Sequence, residues 1–343
     1  MDINKLLRKN IRTLQPYSSA RDEFPGEAMV FLDANENPFN RPYNRYPDPL
    51  QKELKEKVAS LKNISVNQIF LGNGSDEAID LLMRAFCEPG KDNIITVDPT
   101  YGMYKVAAAI NNIDTRKVPL NKNFELNIKQ LINSISEKTK LAFLCSPNNP
   151  TGNTFEKKAL LEFITSFPGL VVLDEAYIDF APGKSLLPRI NEFTNLVILQ
   201  TFSKAWGMAG IRLGMAFGAP EIISVLNKIK YPYNINILTQ KKALKLIRNR
   251  DKIKKWIRII IKERKKMAML LKDLPFVRKV FPSDANFLLV KMNDARKIYD
   301  YLAERGIIVR DRSKIILCEE SLRITIGSAS ENNRLIKALN ELL

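Results

Sequence analysis

The sequence predicts an α/β protein in which a large domain with a mainly parallel sheet is followed by a smaller α+β domain. Two observations support this fold class. From about residue 68 onward, short apolar runs alternate with helical patterns, as they do in βα units. After Pro232 this alternation gives way to a long helical stretch and then to shorter mixed elements. The 343 residues suffice for two domains, or for one large α/β unit with an appendage.

Each predicted strand is a short apolar run bounded by polar or turn-forming residues. In the large domain these strands cover residues 94–97, 115–118, 141–145, 170–174, 196–200 and 215–218. The small domain has predicted strands at residues 276–280, 286–291, 307–309 and 322–326. Helical periodicity is found between the strands of both domains, for example at residues 77–86, 156–167, 295–305 and 331–343.

Changes in this pattern divide the chain into four parts. Residues 1–28 carry no strong periodicity and are predicted to form an arm that packs against the small domain or against a dimer partner. Residues 29–237 form the predicted large domain, and residues 238–271 form one long helix between the domains. Residues 272–343 form the predicted small domain.

Composition argues against several classes of protein. No apolar run approaches the roughly 18 residues of a membrane span, and the charged N-terminus lacks the apolar region of a secretory signal, so we expect a soluble cytoplasmic protein with no membrane partner. The 3 cysteines are widely spaced, which fits reduced thiols better than disulfides or a zinc site. The absence of histidine excludes Ser-His-Asp and Cys-His hydrolases and histidine metal sites, and we expect no metal site.

The formal net charge of +17 is a feature of many nucleic-acid-binding proteins. Lysine and arginine are nevertheless spread along the chain. The densest run, residues 241–266, alternates with apolar residues as an amphipathic helix does, so a solvated helix face is favoured over a nucleic-acid surface by roughly five to one. We therefore expect no nucleic-acid partner, although such a charge can steer an anionic substrate towards the protein.

Lys204 is the most informative single residue. Residues 196–200 (LVILQ) are typical of a buried strand, and the turn that follows carries Lys204 to the strand end, where open α/β sheets bind ligands. Ser203 beside it and Arg212 further along can share a phosphate, the arginine through its planar fork of donors. An amine that can react with an aldehyde, next to groups that can bind a phosphate, indicates the cofactor pyridoxal 5'-phosphate (PLP). The alternative is a solvated surface lysine, as most lysines are.

Two polar residues follow a second apolar strand. Asp174 ends the run at residues 170–173 (LVVL), where a buried carboxylate needs a cationic partner. A protonated pyridine nitrogen would supply that partner and would keep the cofactor ring an electron sink. Tyr177 is placed to hydrogen-bond the phenolic oxygen of the cofactor. The alternatives are an aspartate that caps the next loop and an ordinary half-buried tyrosine.

Three other turns follow predicted strands. In residues 72–77 (GNGSDE), Ser75 and Asp76 start a helix whose N-terminus suits a phosphate, or they simply cap that helix. Asn149 lies in a rigid Pro- and Gly-containing turn and can donate to the same phenolic oxygen. Tyr101 is a candidate to stack on a planar ring, although most such tyrosines are packing residues. Five elements that each suit a different part of one cofactor together favour PLP.

Over nearly its whole length the chain resembles the fold-type I PLP-dependent aminotransferases. The motifs that carry this resemblance are residues 149–152 (NPTG), Asp174 with Tyr177, and Ser203-Lys204 with Arg212. The resemblance implies that Lys204 forms the Schiff base, that Asp174 pairs with the ring nitrogen, and that Asn149 and Tyr177 contact the phenolic oxygen. It also implies that Tyr101 stacks on the ring, and that the cofactor phosphate is bound by Ser75, Asp76, Ser203, Arg212 and, from a second copy of the chain, Tyr46.

Narrower motifs resemble the subfamily that acts on histidinol phosphate. They are residues 32–38 (LDANENP), 45–48 (RYPD), 74–77 (GSDE), 309–311 (VRD) and 322–327 (LRITIG). This resemblance implies reversible transfer of an amino group between L-histidinol phosphate and 2-oxoglutarate in histidine biosynthesis, giving imidazole acetol phosphate and glutamate. It implies substrate contacts from Tyr17, Asn149, Arg310 and Arg323, with Arg323 the strongest candidate for the substrate anion, and a homodimer with shared sites.

The sequence leaves rival activities open. An aromatic amino-acid aminotransferase and a threonine-phosphate decarboxylase of the same fold share most of these motifs. A regulator of the same fold that binds nucleic acid is suggested only by the charge of +17, and no helix-turn-helix segment is recognised ahead of the α/β core. The reaction products separate the first two, because only the decarboxylase releases carbon dioxide.

Overall fold

The computed structural model describes residues 3–18 and 29–342. Its largest element is a seven-stranded sheet with the spatial order β1-β7-β6-β5-β4-β2-β3. Only β7 runs antiparallel to its neighbours, so the other six strands share one direction. The strands are β1 Ile69–Asn73, β2 Asn93–Asp98, β3 Asp114–Pro119, β4 Thr139–Cys145, β5 Leu170–Asp174, β6 Leu196–Thr201 and β7 Leu213–Phe217.

The central strands are buried on both faces, which explains why they are continuous apolar runs. In β5, Val171 and Leu173 belong to the hydrophobic cluster on one face of the sheet, and Leu170 and Val172 belong to the cluster on the other. This alternation follows from the two-residue period of a strand. The α/β fold class with a mainly parallel sheet is therefore confirmed.

Twelve α-helices are present in the described part of the chain. They are α1 Ile3–Leu6, α2 Lys9–Thr13, α3 Lys52–Lys62, α4 Ser75–Phe86, α5 Met103–Ile110, α6 Ile128–Asn133, α7 Lys157–Ser166, α8 Pro220–Ile229, α9 Ile237–Ile247, α10 Arg250–Lys272, α11 Ala295–Glu304 and α12 Ala329–Asn340. Short 3-10 turns cover Val66–Gln68, Ile178–Phe180, Leu187–Glu192 and Ala209–Ile211.

The start of the chain packs against the large sheet unit. Ile3 and Leu7 are buried in the hydrophobic cluster that contains α4 and α8, and Arg8 pairs with Glu88 at 3.3 Å. The start of the arm thus lies on the large unit, and the expected contact of the arm with the small domain or with a partner stays a prediction, because this packing excludes neither. Residues 19–28 of that arm lie outside the described residues.

The single helix predicted for residues 238–271 is also wrong, because two helices, α9 and α10, occupy this stretch. Asn249 lies between them with φ −107° and ψ 33°, outside helical geometry. Its side-chain amide donates to the Lys245 carbonyl at 3.0 Å. An asparagine that bonds the backbone of the preceding turn competes with helix continuation.

A second, four-stranded antiparallel sheet has the order β10-β11-β9-β8. Leu288, Val290 and Leu322 on one face pack with α11 and α12, whereas Phe287 and Leu289 on the other face join the core of the large unit. The small sheet thus turns one face towards the large one. Its strands are β8 Val277–Val280, β9 Phe287–Met292, β10 Arg310–Asp311 and β11 Ser321–Thr325.

The strand predicted at residues 307–309 is wrong, since the edge strand is β10, which begins at Arg310. Ile307 closes the end of α11 by donating its backbone N–H to Leu302 at 2.9 Å, and it packs on the small-domain core. The apolar residues Ile307 and Val309 therefore pack on the small-domain core next to α11 and do not pair with β11.

The described residues contain neither a membrane-spanning helix nor a cluster of metal ligands. No helix in residues 3–18 and 29–342 has both the length and the apolar character that crossing a membrane requires. Within the same ranges, no group of three or more cysteine, aspartate or glutamate side chains is arranged to hold a metal ion.

Candidate active site

Polar side chains meet at the edge of the large sheet where the parallel strands end. β1, β2, β4, β5 and β6 all end at this edge, and β7 begins there because it runs in the opposite direction. This is the edge at which open α/β sheets bind ligands. A pocket at this edge is lined by Gly74, Ser75, Asp76, Tyr101, Cys145, Asp174, Ala176, Tyr177, Thr201, Ser203, Lys204 and Arg212.

Lys204 lies in the turn after β6 with its amine in this pocket. Its Nζ is 5.5 Å from the centre of the Tyr177 ring. Partial burial, and then the positive charge of Arg323, lower the pKa of Lys204, although Asp174 and Asp76 oppose this shift. An amine with a lowered pKa is more often neutral, and only the neutral amine accepts a proton.

Asp174, at the end of β5, is almost completely buried. Its carboxylate accepts hydrogen bonds from the Tyr104 hydroxyl at 2.7 Å and from the Ala176 backbone N–H at 3.0 Å. Burial nevertheless raises the pKa of Asp174 to about 6, because these two donors offset only part of the desolvation. The side chain is therefore held where a cationic partner would stabilise it.

The start of α4 and the turn before β7 form one side of the pocket. Gly74 has φ +75° and donates its backbone N–H to the Arg212 carbonyl at 2.9 Å. Arg212 lies 3.5 Å from the Ser203 hydroxyl and 3.6 Å from the Asp76 carboxylate. A helix N-terminus, a hydroxyl and a guanidinium converge here, which is the combination that binds phosphate.

Arg323 and Asn149 connect the small sheet with the large one. Arg323, on β11, donates to the Asn149 side-chain oxygen at 2.5 Å and lies over the Phe287 ring at 5.3 Å. Tyr177 contacts the same Phe287 ring edge-on at 5.2 Å between ring centres. Arg310 is the cross-strand partner of Arg323.

Two of the predicted site residues lie apart from these. Among the described residues, those that line the pocket do not include Tyr17 or Tyr46, nor do they include Asn149, Arg310 and Arg323, which are joined to one another across the two sheets. Tyr17 is 70% exposed, and Tyr46 is half exposed and stacks on Tyr233 at 4.5 Å between ring centres. The roles assigned to both remain predictions, and that of Tyr46 requires a second copy of the chain.

Sequence reasoning missed Tyr104 and Cys145. Tyr104 lies in the first turn of α5, fully buried, and its hydroxyl donates a hydrogen bond to Asp174. At that position the helical pattern predicts only a core residue, so no local signal marks it. Cys145 lies at the end of β4, and its thiol donates to the Pro147 carbonyl at 3.3 Å. Its position at the end of a predicted strand was the signal in the sequence that could have identified it.

Comparison with known proteins gives the family. The model of the family described as aminotransferase class I and II matches residues 30–339. A histidinol-phosphate aminotransferase of Parabacteroides distasonis is 54% identical over 341 residues, with 99% of each chain covered. One from Christiangramia forsetii is 55% identical over 343 residues, covering 99% of this chain and 98% of the relative.

A solved structure has the same fold. The crystal structure of the histidinol-phosphate aminotransferase from Clostridium acetobutylicum superimposes with a TM-score of 0.81 at 25% identity, covering 88% of this chain and 91% of that one. Aminotransferases of class I and II depend on PLP. The resemblance found in the sequence is thus confirmed: this chain is a PLP-dependent aminotransferase that belongs to class I and II and, within it, to the histidinol-phosphate aminotransferase family.

Proposed function

We propose that this aminotransferase moves an amino group reversibly between L-histidinol phosphate and 2-oxoglutarate, giving imidazole acetol phosphate and glutamate. The observation that carries the proposal is the position of Lys204. Its amine, with a lowered pKa, shares one pocket with the buried carboxylate of Asp174 and is close enough to Arg323 to feel its charge. Full-length relatives more than 50% identical bear the name of this activity.

The residues of the pocket fit PLP. Asp174 is a buried carboxylate with two hydrogen-bond donors and a raised pKa, so a pyridinium nitrogen would supply the positive charge that its burial lacks. Ser203, Arg212 and the N-terminus of α4 would hold the cofactor phosphate, with Ser75 and Asp76 at that N-terminus. A Cβ at Gly74 would lie 2.7 Å from the Arg212 guanidinium, so only glycine leaves this space open.

When bound, the cofactor supplies an electron sink for the bond-breaking step at the substrate α-carbon. The chain's own groups handle the proton. Lys204 Nζ takes the proton from the α-carbon, and the lowered pKa keeps part of the amine neutral for this task. Asp174 would hold the ring nitrogen of the cofactor in its protonated form by ion pairing, while Tyr104 orients the Asp174 carboxylate.

Tyr177, Asn149 and Tyr101 would hold the cofactor ring in place. Burial raises the pKa of Tyr177, so its hydroxyl stays protonated and would donate a hydrogen bond to the phenolic oxygen of the cofactor. Asn149 keeps its amide N–H₂ for the same oxygen, since its carbonyl accepts from Arg323. The Tyr101 hydroxyl lies 3.2 Å from Asp76, which fixes the position of a ring that would stack on the cofactor.

The same site must bind a phosphate monoester and a dicarboxylate. Arginines suit both anions, because the guanidinium fork fits either group. We assign Arg323 and Arg310 to this task, and Tyr17 to a further substrate contact made when the arm covers the site. Tyr46 would reach the cofactor phosphate of the second copy in a homodimer, and we expect the enzyme to work in the cytoplasm.

Titration of the PLP-loaded protein with L-histidinol phosphate tests the proposal. We expect the visible absorbance of the bound cofactor to be lost at low substrate concentration and to return on addition of 2-oxoglutarate, with glutamate formed in proportion. A response to aromatic amino acids alone, or release of carbon dioxide, would reassign the activity to one of the two rival enzymes.

Replacement of Lys204 tests the mechanism. Lys204→Ala removes the group that moves the α-proton, so we expect turnover to fall by roughly a thousandfold or more. Glutamate formation measures this fall, and Lys158→Ala, which removes an exposed lysine of α7, is the control. Wild-type turnover in the Lys204 variant would refute the scheme.

A further inference from the structure

Three arginines lie on the same face of the small sheet. Arg310 and Arg323 are directly opposite each other on β10 and β11, and the ladder continues to Arg312, whose backbone N–H donates to the Ser321 carbonyl at 2.9 Å. Because strand side chains alternate, Arg312 shares the face of Arg310 and Arg323, whereas Asp311 between them lies on the opposite face. Leu289, the partner of Arg323 on β9, belongs to the core of the large unit, so this is the face towards the active site.

No carboxylate in the described part of the chain neutralises the charge of these three arginines. Among the residues that the structure describes, none forms an ion pair with Arg310, Arg312 or Arg323, and Asp311 lies 3.7 Å from Arg296 instead. Burial, and then repulsion from Arg323 and Arg310, lower the pKa of Arg312 to about 10. Uncompensated positive charges this close together destabilise the free protein, and a bound anion would remove that destabilisation.

Two of these side chains also hold unused donors. The Nε atoms of Arg312 and Arg323 are buried and find no hydrogen-bond partner among the described residues. A buried donor without an acceptor is unfavourable in a native structure, and such groups are typical of binding sites. Arg312 lies on the same face as Arg323, and Arg323 binds Asn149 in the turn after β4, at the edge of the large sheet where the pocket lies.

We propose that Arg312 is a third substrate-binding arginine and that it determines specificity for the phosphate monoester. The inference rests on the proposed function and deepens it. A carboxylate carries one charge and is matched by the fork of one arginine, whereas a phosphate monoester carries up to two charges on three oxygens. Arg323 and Arg310 therefore suffice for the distal carboxylate of 2-oxoglutarate, and Arg312 adds the contact that only the dianion uses.

The test compares Arg312→Gln with a matched control. Arg334→Gln makes the same change at an exposed arginine of α12, a helix that packs on the opposite face of the small sheet. For Arg312→Gln we expect the KM for L-histidinol phosphate to rise roughly tenfold to a hundredfold, while the KM for 2-oxoglutarate changes by less than about threefold. Arg312→Lys keeps the charge but loses the planar fork of donors. We expect its KM for L-histidinol phosphate to lie between those of the wild type and Arg312→Gln. The control should match the wild type.

Thermal stability of the PLP-loaded protein without substrate separates binding from a structural role. Because Arg312 repels its neighbours, Arg312→Gln should leave the Tm unchanged or raise it. A lowered Tm, together with equal increases in both KM values, would show that Arg312 is structural and would overturn the inference. Unchanged KM values would overturn it as well.

Calorimetric titration of the PLP-loaded protein with inorganic phosphate distinguishes this inference from the proposed function. If the wild type does not turn over L-histidinol phosphate, the proposed function fails. Weakened phosphate binding in Arg312→Gln alone would still support a phosphate site at Arg312. Equal binding in the variant and the wild type would refute that site.

Discussion

The carboxylate of Asp174 is needed for function, but its burial is unfavourable for the stability of the folded protein. Its pKa is about 6 in the folded protein and roughly 3.9 in an unfolded chain, so the folded protein binds this proton more tightly. The contribution of Asp174 to the free energy of unfolding is therefore fully present below about pH 4 and is lost as the pH rises through about 6. The loss amounts to about 3 kcal/mol, because each unit of pKa shift corresponds to about 1.4 kcal/mol.

Asp174→Asn removes this titration. We expect the cofactor-free variant to be more stable than the cofactor-free wild type at about pH 7, by up to about 3 kcal/mol, and to match it near pH 4. Urea unfolding at both pH values measures the difference. The neighbouring Glu175, whose pKa is also raised by burial, is present in both proteins and cancels from the comparison. A variant that is less stable at pH 7 would contradict the argument.

The residues of the site could be predicted from the sequence where they lie at the end of an apolar strand. Lys204 and Asp174 end or follow apolar strands, and that pattern alone places them at the ligand edge of a parallel sheet. Tyr104 follows no such rule, because its position in α5 is that of a core residue and its hydroxyl finds Asp174 only after folding. The three-arginine face likewise depends on the register of β10 with β11, which the sequence does not reveal.

At the scale of elements, the pocket depends on a close approach between β1 and β7. A Cβ at Gly214, in β7, would lie 2.1 Å from the backbone carbon of Gly74 and from the nitrogen of Ser75. Backbone atoms cannot rotate away as a side chain can. The two strands must therefore separate if position 214 carries a side chain, and the N-terminus of α4 would move with β1.

Gly214→Ala should lower the free energy of unfolding by about 3 kcal/mol or more, because a side chain that clashes with backbone atoms is among the most destabilising substitutions. It should also weaken PLP binding, because Ser75 and Arg212 would no longer converge. Urea unfolding and fluorescence titration with PLP measure the two effects. Gly210→Ala is the control, because Gly210 lies in the 3-10 turn just before β7 and a Cβ there meets nothing within 4 Å. Equal stability of the two variants would contradict this account.

The periodicity of apolar residues predicted most helices and strands. It failed where a single side chain or a tertiary contact determines where an element begins or ends. The apolar runs located the central strands, such as β5 and β6, because these are buried on both faces. The break between α9 and α10 depends on one asparagine whose side chain binds the preceding turn, and the pattern of apolar residues continues across it. The start of β10 at Arg310 depends on the packing of Ile307 against α11.

At the scale of the whole molecule, the segment before α3 exposes large apolar side chains. Exposed apolar patches of this kind are typical of protein interfaces. Tyr46 does not line the pocket of its own chain among the described residues. A second copy that covers this segment and receives Tyr46 accounts for both facts. The exposed side chains are Met29, Val30, Leu32, Phe39, Tyr43 and Tyr46.

Mixed dimers decide whether Tyr46 acts in its own chain or in the other. In a dimer of one Lys204→Ala chain and one Tyr46→Ala chain, a shared site places both defects together and leaves the second site intact. We therefore expect the mixed dimer, purified with two different affinity tags, to show about half the wild-type activity, although each parent is impaired. If Tyr46 served its own chain, each site would carry one defect, and mixing would restore nothing. Sedimentation of the untagged enzyme as a monomer at working concentration would exclude the shared site altogether.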